Sequence, residues 1–367
     1  MLGVLLGLLL TVPAPVFAQE AAPAAEYEKL LAEADERCAA GEHAAAIELY
    51  AKAAGLRADA ARPIVGLARC ELAKALKTGD PRGLARVRSL LREALSREKD
   101  YGGVFFLWGE LCLAERNHAG AVQAFRGALV KDFRSREAKP LLAKSMLWLG
   151  ADQARDSRVP HEQVVEVLAE AERALGALVK DESYPEAERM ELEAFRRKAL
   201  VNMAAVHQRA NDLPRAEEIV RELIRLDPKN RDYRFSLGLL LAASNRSEAA
   251  TRAYEKAIAL NDDPDWVEAC RPLGHLKSVG DEVEAAEKLL RRFLGKRPES
   301  WDGWLTWGDH LVRHGRPDEA AAAYERCIEL HPGRTAAIRK LSQTLRRAGR
   351  GPEADKWSKL FRVMEAE

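Results

Sequence analysis

The histidines and cysteines are the residues most able to do chemistry, so their spacing comes first. His161-Glu162 begins the H-E-x-x-H pattern that sets two zinc-binding imidazoles on one helix face, but Val165 stands where the second His is required. The zinc-hydrolase reading therefore fails. His275, His310, His314 and His331 fall in one third of the chain, yet at different positions of a repeat described below. They are expected to point in different directions, exposed or capping helices, rather than to share a metal ion. Cys38, Cys70, Cys112, Cys270 and Cys327 are an odd number, widely scattered and without C-x-x-C. They read as small buried hydrophobes, with a Cys70–Cys112 bridge the one pairing worth considering. The chain has no glycine-rich phosphate loop and no G-x-S-x-G elbow. Its carboxylates mostly precede or follow Lys and Arg by four residues, as on solvated helix faces. The expectation is no enzyme, with no catalytic residue, cofactor or metal ligand.

What positions these residues is helix. Hydrophobic residues make up 47% and charged residues 31% of 367, enough for a core and a solvated surface. Ala is abundant and runs of β-branched residues are scarce, which favours helix over sheet. Lys and Arg number 58 against 57 Asp and Glu, so no global field draws in nucleic acid or an anionic membrane.

The helices recur with a fixed period. Ala216, Ala250, Ala286, Ala320 and Ala354 are spaced 34, 36, 34 and 34 residues apart. Gly238, Gly274, Gly308 and Ser342 keep the same register, as do Pro228, Pro298 and Pro332, with Asp262 at the missing proline. The extra two residues fit a turn at Asp263-Pro264. In the clearest copy, Trp304, Trp307, Gly308 and Leu311 line one face of a first helix, and His314-Gly315-Arg316-Pro317 makes the turn. Ala320, Tyr324 and Cys327 follow on a second helix that Pro332 ends. This pattern resembles the tetratricopeptide repeat (TPR), a helix–turn–helix unit of about 34 residues. The resemblance implies an all-α fold, a right-handed superhelical solenoid of stacked hairpins.

Copies extend over 27–60, 102–134, 197–230, 231–264, 267–300 and 301–334, with a last hairpin from Ala336 to Met364 whose polar outer face suits a cap. Pro272 should kink its helix. Stretched copies have helices near 61–77 and 84–97, and near 137–150 and 161–179; 185–210 reads as one long helix. The expected organisation is divergent repeats with inserted loops over 27–180 and a regular array over 181–367. Before them, Leu2 to Val12 form an apolar run too short to span a bilayer, broken by Pro13 and Pro15. Val16-Phe17-Ala18 offers a cleavage context, so 1–18 reads as a signal peptide and 19–26 as a flexible linker. The mature protein is expected to be periplasmic or secreted, with no membrane span. Asn245-Arg246-Ser247 is formally a glycosylation acceptor but reads better as a polar turn.

The resemblance further implies a concave groove lined by first helices and receiving a protein or peptide. Positions 2, 5, 9, 12 and 13 of each first helix turn toward that groove, and supply Val201, Phe235, Leu239, His275, Val279, Leu305, Val312, Arg339, Gln343, Arg346 and Arg347. The Lys, Asn and Arg clamp known from chaperone-binding relatives is missing, since its positions hold Val201, Phe235, Arg271 and Leu305. The groove should be apolar in the middle and basic toward the C-terminus, where 335–367 carry eight Lys+Arg against four Asp+Glu. That suits an amphipathic helix or extended segment bearing acidic residues. The expected function is an exported scaffold or adaptor in a cell-envelope complex. A chaperone-like holding module for cargo in transit and an accessory of polysaccharide export are the alternatives.

Overall fold

A computed structural model describes residues 17–260 and 267–366, and among them every regular element is a helix. They pair as consecutive hairpins: α1 (Phe17–Ala39) with α2 (His43–Leu56), α3 (Arg62–Thr78) with α4 (Pro81–Arg97), and α5 (Gly102–Ala114) with α6 (His118–Val130). Next come α7 (Ser135–Gln153) with α8 (His161–Lys180), then the long α9 (Glu186–Arg209), followed by α10 (Leu213–Leu226). The series ends with α11 (Arg231–Ala243) and α12 (Ser247–Ala259), α13 (Cys270–Val279) and α14 (Val283–Lys296), α15 (Trp301–Arg313) and α16 (Pro317–Leu330), and α17 (Thr335–Arg347) and α18 (Gly351–Ala366). The all-α hairpin array is the fold that the period implies. Asp263-Pro264 lies outside the described residues.

Two local devices build each hairpin. The first is the turn, which needs one residue in the left-handed region. Asn211, Asn245, Asp281, Gly315 and Gly349 all have positive φ and repeat the 34- and 36-residue spacing. Gly, Asn and Asp are the residues that enter this region at least cost. The next N–H then reaches back over the helix end, as from Arg316 to the Leu311 carbonyl at 2.9 Å and from Arg350 to Leu345 at 2.8 Å. Asn245 is thus a turn residue first. The second device is close approach. A Cβ on Gly308 would lie 2.5 Å from the Tyr324 ring, so the aromatic of α16 fills the space a side chain on α15 would take. Gly109 and Phe125 repeat this across α5 and α6 at 2.6 Å. Ala216, Ala250, Ala286, Ala320 and Ala354 are all fully buried.

Burial is modular, because each hairpin covers its neighbour's apolar face. Leu31, Ala46 and Tyr50 close one core; Leu91 and Leu111 belong to the next; Leu290, Leu311 and Tyr324 belong to the C-terminal one. The chain forms two compact units, one ending at Ala199 and the other beginning at Leu200. That division falls inside α9 rather than at the expected 180/181.

Several other expectations change. Residues 19–26 are not a linker, since α1 runs through them from Phe17; residues 1–16 lie outside the described region. Pro272 produces no interior kink. Helix α13 starts at Cys270, so Pro272 sits in its first turn, where no intrahelical N–H bond is lost. Trp304 is half-buried, its indole donating to the Pro298 carbonyl at 2.8 Å, and Trp307 is the more buried ring. On the last helix, Trp357, Phe361 and Met364 pack inward while Leu360 and Val363 stay exposed, so the cap is less polar than expected.

Candidate functional site

The first helices of the C-terminal unit carry the residues that could meet a partner. Helices α13, α15 and α17, with Tyr324 from α16, line an open concavity of about 530 Å³. Asp309 is one of its lining residues. It accepts from the Tyr324 hydroxyl at 2.7 Å and from Lys340 Nζ at 2.6 and 2.5 Å. Burial, and then the Asp309 hydrogen bond, push the Tyr324 hydroxyl well above its ordinary pKa, so it remains a neutral donor. Asp309 and Lys340 cancel each other. Arg313 and Arg347 line the same concavity, and neither forms a salt bridge among the described residues. The surplus is therefore positive. Desolvation by the surrounding walls, with the charges of Arg313, Arg271 and Lys340, holds the His275 pKa below the usual imidazole value against the pull of Asp309.

The N-terminal unit contains the same device. Asp35 of α1 accepts from Tyr50 of α2 at 2.5 Å and from Arg69 of α3 at 2.7 Å. In both units, an acid on a first helix is held by a tyrosine on its second helix and by a cation one hairpin on. Burial opposes ionisation of Asp35, but hydrogen bonds from Tyr50 and Arg69 and the charges of Arg69 and Arg62 outweigh it and lower its pKa. Helices α11 and α12 lack the acid, because Leu239 occupies its position. There the Tyr254 hydroxyl is buried with no partner among the described residues.

Of the residues expected to line a groove, His275, Val312, Gln343 and Arg347 come together here. Val201, Leu239 and Arg339 are exposed elsewhere on first helices. Phe235 is not a free groove residue: it packs on the core beside Tyr254, with ring centroids 5.9 Å apart. Leu305 packs similarly against the C-terminal core. Val279 is exposed, but in a different depression, with Ser247, Thr251 and Arg252 of α12. Arg346 turns to the last helix, where it meets Asp355 at 3.0 Å and Ser358 at 3.2 Å. Asp309, Arg313 and Lys340 were missed. The first two occupy positions 9 and 13 of their repeat, so the register itself pointed to them; a preference for apolar side chains hid them.

The histidines also depart from expectation. His310 is 1% exposed, stacked on Trp307 with centroids 5.5 Å apart, and its Nδ1 lies 2.9 Å from Ser278 Oγ. His314 lies beside it at 4.6 Å. No Cys70–Cys112 pair exists. Cys70 instead lies against Cys38, with Sγ atoms 2.9 Å apart, and His43 is close by. None of the helices in the described region is long and apolar enough to cross a membrane.

Among solved structures, a crystal structure of MamA is similar at 24% identity and TM-score 0.41, over 45% of this chain and 95% of that one. MamA from Desulfovibrio magneticus RS-1 aligns at 15% identity and TM-score 0.43, over 46% and 95%. YrrB, described as a TPR protein with an unusual peptide-binding site, aligns at 18% identity and TM-score 0.39, over 46% and 86%. No curated protein matches the chain. Residues 201–264 and 301–344 match family models described as tetratricopeptide repeat.

Proposed function

We propose that the chain is a scaffold that holds another protein, and that the concavity of α13, α15 and α17 receives an amphipathic helix or extended segment bearing acidic residues. The carrying observation is the surplus of cations, Arg313 and Arg347, around the neutralised Asp309–Lys340 pair, with Val312 supplying apolar wall. Arginines grip carboxylates with paired hydrogen bonds, and the half-buried Val312 gives the apolar face of a ligand something to cover. The test uses two synthetic amphipathic helices with one apolar face and either Asp/Glu or Lys on the other. The acidic helix should bind, less tightly as salt rises, and Arg313→Glu with Arg347→Glu should abolish the preference. Equal binding of both helices, or a preference that survives the double substitution, counts against the site.

We further propose that this scaffold works outside the cytoplasm, in a cell-envelope complex. The support is the apolar run from Leu2 to Val12 followed by Val16-Phe17-Ala18. Intact mass of protein recovered from its native host should place the N-terminus at Gln19; retention of Met1 in an envelope fraction would remove this reading.

A further inference from the structure

Cys38 lies in the last turn of α1, His43 opens α2, and Cys70 lies within α3. Two helix ends and the next hairpin thus bring two thiol sulfurs and an imidazole nitrogen within 4.8 Å of one another. The sulfurs themselves are 2.9 Å apart, closer than two thiols sit at rest. Cys70 is fully enclosed, whereas Cys38 and His43 are half-buried, which leaves the cluster one open side. An independent sign comes from His43: its Nδ1 is buried and has no hydrogen-bond partner among the described residues. Burying a polar nitrogen without a partner is destabilising, so the folded chain leaves a ring nitrogen that a ligand would satisfy.

We propose that Cys38, His43 and Cys70 bind a single thiophilic divalent cation, with zinc the fitting ion. Two sulfurs and an imidazole are the donors that such an ion prefers over magnesium or calcium. Bonds of about 2.3 Å to each sulfur in a tetrahedral site set the sulfurs about 3.8 Å apart, so binding relaxes their contact by less than a side-chain rotation. The two thiolates cancel the charge of the ion, which keeps the site neutral beside Arg69, itself held by Asp35. The fourth position faces the open side and takes water. Because the ligands come from α1, α2 and α3, the ion would tie the first hairpin to the second, adding to the apolar packing and the Arg69–Asp35 pair that already join them.

The full chain, reduced and stripped of metal, is titrated with cobalt(II) as a coloured stand-in and then with zinc. The expected result is one cobalt per chain with sulfur-to-cobalt charge-transfer absorption, displaced by zinc. The absorption should be lost in Cys38→Ser and Cys70→Ser, weakened in His43→Ala, and kept in Cys112→Ser, with helix content by circular dichroism unchanged in each. Zinc should also raise the melting temperature of the wild-type chain but not of Cys38→Ser. Absence of charge-transfer absorption in the reduced chain overturns the proposal, as does binding indifferent to Cys38 and His43. A Cys38–Cys70 disulfide in protein isolated from its native host without reductant overturns it equally, since joined sulfurs cannot both serve as thiolate ligands.

Discussion

Single side chains here show what the same fold does with and without a partner for one hydroxyl. Tyr50, Tyr254 and Tyr324 take equivalent places on their second helices, yet the first and last donate to Asp35 and Asp309 while Tyr254 finds no acceptor among the described residues. Removing a satisfied hydroxyl costs its acceptor a hydrogen bond, whereas removing an unsatisfied one relieves a desolvated group. Tyr324→Phe should therefore cost about 1–2 kcal/mol in urea melts, and Tyr254→Phe should be neutral or stabilising. Equal losses at both positions would mean that these hydrogen bonds contribute nothing. His310 makes a second prediction. Desolvation, then the His314 charge, lowers its pKa, with Glu287 pulling the other way. Above an unfolded-state pKa of about 6.5 both states are neutral, and no stability depends on this group. Below it, the unfolded chain takes up the proton while the folded chain resists, so stability should fall as pH drops from that value toward the lower folded pKa. His310→Gln should flatten the melting-temperature profile between about pH 7 and pH 5. An unchanged slope would assign the acid sensitivity to other groups.

At the scale of helices, most of the architecture was legible because it depends on properties a sequence states directly. A 34- to 36-residue spacing of small residues and a left-handed residue at each turn are local requirements that α10 to α18 obey, and a proline follows α10, α14 and α16. What was not legible is how far each side chain of a first helix leans into its own hairpin. Phe235 and Leu239 are one helical turn apart and read as one groove patch. In the structure the Tyr254 ring fills the room left by Gly238 and Phe235 leans on that ring, while Leu239 stays exposed. The two should therefore separate experimentally. Phe235→Ser removes a ring packed on the core and should lower stability by about 2–4 kcal/mol, discounted from full burial because the ring is half exposed. Leu239→Ser should change it by less than about 0.5 kcal/mol. A large loss at Leu239 would show that this helix face is covered. Cysteine contacts were hidden for a related reason. Cys38 and Cys70 are 32 residues apart, close to one repeat, so stacking brings the first helices' like positions together; Cys112 falls out of that register and lies in another core.

Across the whole chain, modular burial implies that damage travels only through shared elements, and α9 is the element that two cores share. Its N-terminal half places Leu192 in a core with Leu175, Leu178 and Tyr184, and its C-terminal half places Ala204 in a core with Val220 and Leu237. The compact units accordingly divide within α9, after Ala199, and the N-terminal half of the helix closes the preceding core. A continuous helix with one end in each core couples their unfolding, because fraying either end removes hydrogen-bonded turns from the other. Ala199→Pro interrupts α9 between the two halves. Proline there removes an interior N–H and crowds the preceding turn, at about 3 kcal/mol or more. In the wild-type chain, hydrogen exchange should show Leu192 and Ala204 protected to similar free energies. In the variant, the protections should diverge and the urea melt should resolve into two transitions, the one involving residues 200–367 keeping its midpoint more nearly than the other. A single transition shifted to lower urea, with both halves loosened alike, would mean that coupling runs through side-chain packing rather than through the helix itself.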